Sequence, residues 1–227
     1  MRQTSAWILT IIALALALAA PAAADTPVPG GNVINQTWTP AGSPYVLAGD
    51  ITVPAGAFLT IEAGVVVQAA ANSDSQASGL STSRVEITID GTLSVNGTSA
   101  NPVTFRSSGM ASGSWYGIVV TAGAAQAQIS GAVIQDASYG IVTSAPGTVL
   151  DLVDTTVTES ASYGLYVRAG SPVVDGLRAI GNTSAGVFVG DNGSLTLTNS
   201  VVRSNGTYGI HFAPTSSRTL TVTGSTL

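Results

Sequence analysis

Apolar and polar residues alternate along much of this chain, and in its second half the alternation follows a repeated phrase. The phrase joins an aromatic or small residue, a glycine and a branched aliphatic residue, and its glycines are Gly117, Gly140, Gly164, Gly186 and Gly209. The steps between these glycines are 23, 24, 22 and 23 residues, a period typical of solenoid proteins. After each glycine every second residue is apolar, as in Leu165/Val167. This period of two predicts strands with one buried face, so each repeat is a coil built of strands.

A less regular version of the pattern occupies residues 32–114. The alternating segments 59–67 and 87–95 match each other, with a polar loop predicted at 70–83 between them and a second loop at 107–114. We therefore predict an all-β solenoid over 32–227, with N-terminal coils at 32–114 and regular repeats of 22–24 residues at 115–227. About seven coils are expected, because a single coil cannot bury its own apolar side chains.

The N-terminus reads as a secretory signal peptide. Arg2 precedes an apolar run at 7–20, and three alanines at 22–24 offer a cleavage site before Asp25. The run is shorter than the roughly 20 residues of a membrane-spanning helix. We expect removal of residues 1–24, a linker rich in Pro and Gly at 25–31, no membrane span in the mature chain, and a secreted or cell-surface location.

Composition agrees with stacked strands, since 8% of the 227 residues are charged and 45% are hydrophobic. The chain has 12 acidic residues against 7 basic ones, which argues against a nucleic-acid partner held by phosphate contacts. It contains no cysteine, so disulfides, thiolate metal sites and a cysteine nucleophile are excluded. We expect a monomer.

Two columns of short polar residues predict the corners of the coil. Counting back from the glycines, one column holds Asp136, Ser160, Asn182 and Asn205, and the other holds Ser130, Asp154, Gly176 and Asn199. Asn, Asp and Gly tolerate left-handed backbone conformations, and their side chains bond neighbouring backbone groups. On the same alignment Leu227 falls inside a strand, so we expect the solenoid to be incomplete at its C-terminal end.

The opening coils resemble a known family. The residues are the alternating strand at 59–62 with Gly64, then Gly91-Thr92-Leu93, the segment 101–105 and Trp115-x-Gly117-Ile118. They are similar to secreted bacterial right-handed parallel β-helix proteins of the pectin-lyase-like superfamily. The resemblance implies a right-handed parallel β-helix. It does not choose an activity, because that superfamily holds lyases, hydrolases, adhesins and surface modules.

The catalytic phrases of the enzymes in that superfamily are absent. Related hydrolases carry Asn-Thr-Asp, Asp-Asp and Gly-His-Gly, and none of these occurs here. His211 is the only histidine, and the chain has no lysine to act as a general base. We expect no catalytic residue among those present, and the alternative is the N-terminal part of a polysaccharide lyase or glycoside hydrolase whose active site lies beyond Leu227.

Asp151 and Asp175 form the best carboxylate pair in the sequence. Alternation with Leu150/Leu152 and with Val174 points both outward, and we expect them on adjacent coils about 4.8 Å apart. The functional interpretation is a calcium site or an acid pair. Calcium usually requires six or more oxygen ligands, so we expect solvated surface charge and no cofactor.

A second candidate is a column that stands two residues beyond each repeat glycine. It holds Val119, Val142, Tyr166, Phe188 and His211, and alternation faces it away from the interior. Exposed aromatic platforms are typical of surfaces that bind sugars or partners, so Tyr166, Phe188 and His211 are predicted to bind. The alternative is that a loop or the segment around Trp38 covers this column. The tyrosines at 116, 139, 163 and 208 abut a corner and are expected to stack as an internal or edge ladder without a binding role.

Taken together, the patterns favour a non-catalytic secreted or cell-surface scaffold or adhesion module. Its expected partner is a polysaccharide or a surface protein.

Overall fold

The computed structural model describes residues 25–227, so the predicted signal peptide at 1–24 lies outside the described residues. The chain visits three sheets in turn, and each sheet contains eight strands. Every strand pairs in parallel with the strand of the same sheet in the next coil. The predicted right-handed parallel β-helix is confirmed, with eight coils rather than about seven.

The strands are short and fall into three sheets, which we call A, B and C. Sheet A contains Thr26–Val28, Tyr45–Leu47, Val66–Ala69, Val103–Ser107, Ala132–Gln135, Thr156–Thr158, Arg178–Ile180 and Val201–Arg203. Sheet B contains Gly31–Asn32, Ile51–Val53, Glu86–Ile89, Gly117–Val120, Ile141–Thr143, Tyr163–Gly170, Ala185–Gly193 and Tyr208–Pro214. Sheet C contains Gln36–Trp38, Phe58–Glu62, Thr92–Asn96, Gln126–Ser130, Leu150–Val153, Val173–Asp175, Leu195–Thr198 and Leu220–Thr223. Among residues 25–227 a single 3₁₀ turn is present, at Pro40–Gly42, and no helix in that part of the chain is long and apolar enough to cross a membrane.

The predicted linker at 25–31 is wrong. Thr26–Val28 pairs with Tyr45–Leu47 in sheet A, and Gly31 begins the first strand of sheet B. Pro27 lies in an edge strand of the sheet as described, where a residue without an N–H group is tolerated. Thr26–Val28 and Gly31–Asn32 therefore belong to a first coil that the sequence pattern did not predict.

One apolar core runs along the axis of the stack. Leu165 and Val187 of sheet B are fully buried, and so are Leu152 and Val174 of sheet C. Each full burial of such a side chain stabilises the fold by roughly 1.5–3 kcal/mol. Because each strand places every second side chain inside, the core is a set of apolar columns that continue from coil to coil.

The corner between sheets C and A uses left-handed residues, as predicted for Asp154 and Asn199. Their φ angles are 46° and 49°. They stack with Gly131, Gly176 and Gly224, which have φ angles of 58°, 70° and 61°. Asp, Asn and Gly are the residues that adopt this conformation at least cost, so the column sets a tight turn in each coil.

The other predicted corner column is divided between two positions. Asp136 is left-handed, with φ of 65°, and stacks with Glu159, Gly181 and Ser204 rather than with Asn182 and Asn205. The prediction that placed Asp136 in the asparagine column is wrong by one residue. Gly140 stands six positions after the inward-facing Ile134, whereas Gly164 stands seven positions after Val157. Because Ile134 pairs with Val157, Ala137 takes the place equivalent to Ser160.

Asn182 and Asn205 form a hydrogen-bonded ladder inside this corner. The Asn182 amide donates to the Val157 carbonyl at 3.2 Å and to Oδ1 of Asn205 at 3.1 Å. The Asn205 amide donates to the Ala179 carbonyl at 3.0 Å. Asn182 is 1% exposed, so these bonds satisfy a buried amide that would otherwise be costly.

Candidate functional site: an aromatic ladder on sheet B

The outer face of sheet B carries the predicted column in register. Val119 pairs with Val142, Val142 with Tyr166, Tyr166 with Phe188, and Phe188 with His211. The residues before and after Tyr166 and Phe188 point into the core, and these residues, Leu165, Val167, Val187 and Val189, are fully buried. Tyr166, Phe188 and His211 are half-buried, so they lie on the outside of the stack as the alternation predicted.

The repeat glycines allow the coils to stack this closely beside the column. A Cβ atom added at Gly164 would lie 2.6 Å from the Gly186 carbonyl oxygen and 2.9 Å from the Asn182 amide nitrogen. A Cβ at Gly186 would lie 2.5 Å from the Asn205 amide nitrogen. All three distances are shorter than a carbon atom tolerates. The repeated glycine therefore makes room for the next coil and for the asparagine ladder.

The three predicted binding residues are in ring contact. The ring centroids of Tyr166 and Phe188 are 5.1 Å apart, and those of Phe188 and His211 are 4.8 Å apart, with planes tilted by 36° and 44°. These distances lie within the range in which aromatic pairs attract each other. The rings thus form a continuous strip parallel to the axis of the stack.

The tyrosines that precede the repeat glycines join the same strip, which corrects their predicted separation from it. Tyr163 lies 5.4 Å from Tyr166 and 4.7 Å from Phe188 between ring centroids, and Tyr208 lies 4.5 Å from His211. Tyr139 contacts Tyr116, Tyr163 and Tyr166 at 5.5–5.9 Å. We call this set the aromatic ladder, and its members are Tyr116, Tyr139, Tyr163, Tyr166, Phe188, Tyr208 and His211.

The alternative prediction, that a loop or the segment around Trp38 covers the column, holds only for the N-terminal part of the column. Val119 is 2% exposed and lines a cavity together with Leu80 of the loop that precedes the strand Glu86–Ile89. Trp38 does not cover the column, because it lies in sheet C and its ring stacks on Tyr45 at 4.5 Å in the core. Tyr208, at the other end of the ladder, is 48% exposed.

Burial favours the neutral form of two ladder phenols, Tyr116 and Tyr166. Burial raises the pKa of Tyr116 to about 12, and the nearby phenol of Tyr139 adds to the effect. Burial also raises the pKa of Tyr166, and the negative charge of Asp191 acts in the same direction. Asp191 in turn forms an exposed ion pair with Arg168, with 3.3 Å between Oδ2 and Nε. Neutral phenols can both donate and accept hydrogen bonds.

A small acidic cavity lies beyond the N-terminal end of the ladder. Its volume is about 290 Å³, and its walls include the carboxylates of Asp50 and Glu86 with Ser78 and Thr88. Asp50 and Glu86 are 6% and 3% exposed. Burial raises the pKa of both groups, and hydrogen bonds partly offset this effect. The negative charge of Asp74 raises the pKa of Asp50 further, and the negative charge of Asp50 raises the pKa of Glu86 further.

Both carboxylates are tied to the loop 70–83. Asp50 accepts a hydrogen bond from the Glu86 N–H at 2.7 Å and from the Ser78 hydroxyl at 2.8 Å. Glu86 accepts from the Leu80 N–H at 2.8 Å and from the Thr88 hydroxyl at 2.9 Å. The loop therefore folds against the sheet through these two acids.

Asp74 organises the loop from within. Its carboxylate accepts hydrogen bonds from the backbone N–H groups of Asp50, Gln76 and Ser78, at 2.9–3.0 Å. Sequence reasoning did not single out Asp50, Asp74 or Glu86. The available signal was Glu86 itself, a charged residue beside Val85 and Ile87 in an otherwise uncharged strand.

Asp151 and Asp175 are not side by side, so that prediction is wrong. Asp151 pairs with Val173, and Asp175 pairs with Val153, which places the two acids two residues apart along the strands. Asp175 accepts hydrogen bonds from the Thr198 hydroxyl and from the Asn199 amide, both at 2.8 Å. Its carboxylate thus bonds the next coil at the corner. Within residues 25–227, no three His, Asp or Glu side chains cluster closely enough to hold a metal ion.

Comparison with known proteins bears on the fold rather than on a ligand. The family model of the pectate-lyase like beta helix domain matches residues 31–146. No curated protein and no solved structure matches the chain. Because the matched residues make up just over half of the chain, the protein belongs to the pectate-lyase-like beta helix domain family.

Proposed function

We propose that this protein is a non-catalytic, secreted or cell-surface β-helix module that binds an extended polysaccharide along the aromatic ladder. The observation that carries the proposal is the unbroken contact of Tyr166, Phe188 and His211 on three successive coils. A row of partly exposed aromatic rings is an apolar surface patch, and such patches commonly mark a binding site.

The shape of the ladder supports an extended ligand. Successive coils are about 4.8 Å apart, so the rings form a track along the stack axis rather than a closed pocket. Sugar rings can stack on such rings through their C–H faces while the neutral phenols bond sugar hydroxyls. A chain of sugars lying along the track would contact several coils at once.

Secretion belongs to the same proposal and is supported by the sequence alone. The residues 1–24 have the charged start, apolar run and small-residue cleavage site of a signal peptide. An extracellular location would bring the ladder into contact with glycans of a cell surface or of the surroundings.

Binding by the ladder is tested with the double variant Tyr166→Ala, Phe188→Ala on a glycan array and by titration of the glycans that bind. We expect the double variant to lose binding by at least about tenfold, since each stacked aromatic contributes roughly 0.5–1.5 kcal/mol or more. The matched control is Phe58→Ala, which removes an aromatic ring that is 42% exposed on sheet C. Binding that persists in the double variant, or that is lost equally in the control, excludes the ladder as the binding surface.

A second candidate function is a polysaccharide-processing enzyme, and one observation favours it. Asp50 and Glu86 are buried carboxylates in a cavity next to the ladder, and burial raises the pKa of each. Raised carboxyl pKa values are common among general acids. Turnover of neutral or acidic polysaccharides that is abolished by Glu86→Gln would favour the enzyme over the binding module.

A further inference from the structure

Tyrosine rings contact one another directly in the N-terminal part of the aromatic ladder. The ring centroid of Tyr139 lies 5.5 Å from that of Tyr116 on the preceding coil. On the following coil it lies 5.8 Å from that of Tyr163 and 5.9 Å from that of Tyr166. Tyr139 is therefore the centre of a cluster of four phenols that spans three coils.

The four phenols can be reached from solvent, because each ring is only half-buried. A phenol that loses one electron and its hydroxyl proton becomes a radical, and its unpaired electron resides partly on the ring carbons beside the oxygen, the Cε atoms. The edges of two rings in contact are closer together than their centroids. Small rotations of the side chains can therefore bring Cε atoms of neighbouring rings into contact.

Position and burial single out Tyr139 and Tyr163 within the cluster. Both stand immediately before a repeat glycine, at equivalent places on adjacent coils. Burial raises the pKa of Tyr116 and Tyr166, which lowers the share of each phenol that is ionised. Because a phenolate gives up an electron more readily than a phenol does, Tyr116 and Tyr166 are the poorer substrates for an oxidant.

We propose that Tyr139 and Tyr163 form an oxidative cross-linking site, at which a carbon–carbon bond between one Cε atom of each ring joins adjacent coils. The oxidant is hydrogen peroxide acting through a haem peroxidase. Each phenol gives up one electron and one proton, and the two radicals couple through their ring carbons. The hydrogens on the two joined carbons then move as protons to the phenol oxygens. Overall, the tyrosine pair loses two hydrogen atoms, and hydrogen peroxide is reduced to two water molecules.

The cross-link supplies a covalent connection that this chain otherwise lacks. The chain contains no cysteine, so disulfides cannot link its coils. A bond between Tyr139 and Tyr163 closes a covalent loop about one coil long, and a cross-link of this kind limits the conformations open to the unfolded chain. The site is independent of the proposed glycan binding, because it requires only the two phenols and the oxidant.

The test treats the full chain with hydrogen peroxide and a haem peroxidase at low protein concentration, so that coupling between molecules is rare. We expect the monomer to gain dityrosine fluorescence and to lose the mass of two hydrogen atoms. A protease that cleaves after acidic residues separates the two tyrosines, because Asp151, Asp154 and Glu159 lie between them. The fragments that carry Tyr139 and Tyr163 should nevertheless remain joined.

Tyr139→Phe and Tyr163→Phe each keep the ring and remove one phenol, and both variants should lose the dityrosine fluorescence of the monomer. The matched control is Tyr208→Phe, because the ring partner of Tyr208 in the ladder is His211 rather than a tyrosine. This variant should cross-link as wild type does. A wild type that stays unlinked, or that forms only linked dimers, overturns the proposal. A cross-linked monomer of Tyr139→Phe or of Tyr163→Phe overturns it as well.

Discussion

The carboxylates of Asp50 and Glu86 are the least expected side chains of this molecule. Their bonds to Ser78 and Leu80 fix the loop 70–83 against sheet B, which is why they are buried in a chain with so few charges. Burial disfavours the ionised form more than these hydrogen bonds favour it, so the pKa of each acid is raised. The loop is therefore held by two carboxyl groups, Asp50 and Glu86, whose protonated form the folded protein favours.

This conflict predicts an unusual dependence of stability on pH. The unfolded chain releases these protons near pH 4, whereas the folded protein holds them up to the raised pKa values. The stability contributed by the protonated acids is thus complete below about pH 4 and is lost as the pH rises through the folded pKa values. We expect Asp50→Asn with Glu86→Gln to remove this loss and to raise the melting temperature at pH 7.

The geometry of both sites allows the substitution. An amide at position 50 can accept from the Glu86 N–H and donate to the Ser78 hydroxyl oxygen, and a glutamine at 86 can serve Leu80 and Thr88 in the same way. Melting curves of wild type and variant between about pH 4 and 7 measure the effect. Asp151→Asn on the outer face of sheet C is the control. A double variant less stable than wild type at pH 7 would show that the ionised acids stabilise the loop.

At the scale of the element, successive coils repeat one arrangement at the corner between sheets A and B. A repeat glycine of one coil faces a polar side chain of the next coil, and the polar residue differs between coils. Asn182 and Asn205 fill the space that Gly164 and Gly186 leave open, and they bond the carbonyls of Val157 and Ala179. Ser160 occupies the same position one coil earlier, but its buried hydroxyl has no partner. The ladder is therefore interrupted at a coil that has the matching Gly140.

Ser160→Asn is expected to extend the asparagine ladder by one coil. The new amide should donate to the Ile134 carbonyl, because Ile134 pairs with Val157, and to Oδ1 of Asn182. One net hydrogen bond stabilises by about 1 kcal/mol, which raises the melting temperature of a chain of this size by about 2–4 °C. Ser160→Ala, which removes the orphaned hydroxyl without adding an amide, is the control. A melting temperature of Ser160→Asn below that of Ser160→Ala would contradict the prediction.

The errors of the sequence prediction also belong to single elements. Alternation predicted which face each residue occupies, and it did so correctly for Leu165, Tyr166 and Asp151. It could not place residues along a strand, and Asp151 and Asp175 are therefore out of register. The repeat around Ile134 is one residue shorter before its glycine, which displaced Asp136.

The strip that the ladder forms was only partly predictable. Register gave Tyr166, Phe188 and His211, because strand pairing aligns equivalent positions of successive coils. The inclusion of Tyr163 and Tyr208 depends on the direction in which each side chain leaves the corner, and strand alternation does not describe corners. The packing of the loop 70–83 on sheet B joins Ser78 to Asp50, 28 positions away in the sequence, which no local pattern encodes.

At the scale of the whole molecule, a solenoid is stabilised by contacts between neighbouring coils. Central positions such as Leu152 and Val174 are fully buried, whereas Phe212 and Val222 in the last coil of the described chain are 37% and 36% exposed. In such a stack, stability is a sum over coils and their interfaces. Local opening is therefore expected to be easiest in the strands Tyr208–Pro214 and Leu220–Thr223. The first of these strands carries His211 of the ladder.

Hydrogen exchange of the chain can test this gradient together with the coupling between coils. We expect the amides of these two strands to exchange first, because regions with few buried contacts open at lowest cost. Leu152→Ala, which removes a buried side chain at a cost of about 2–5 kcal/mol, should accelerate exchange most in the strands that pair with it, around Ile129 and Val174. Val222→Ala in the last coil should accelerate exchange in that coil alone. Equal acceleration in all eight coils by Leu152→Ala would show that the stack unfolds as one cooperative unit, and the ladder would then be equally rigid along its whole length.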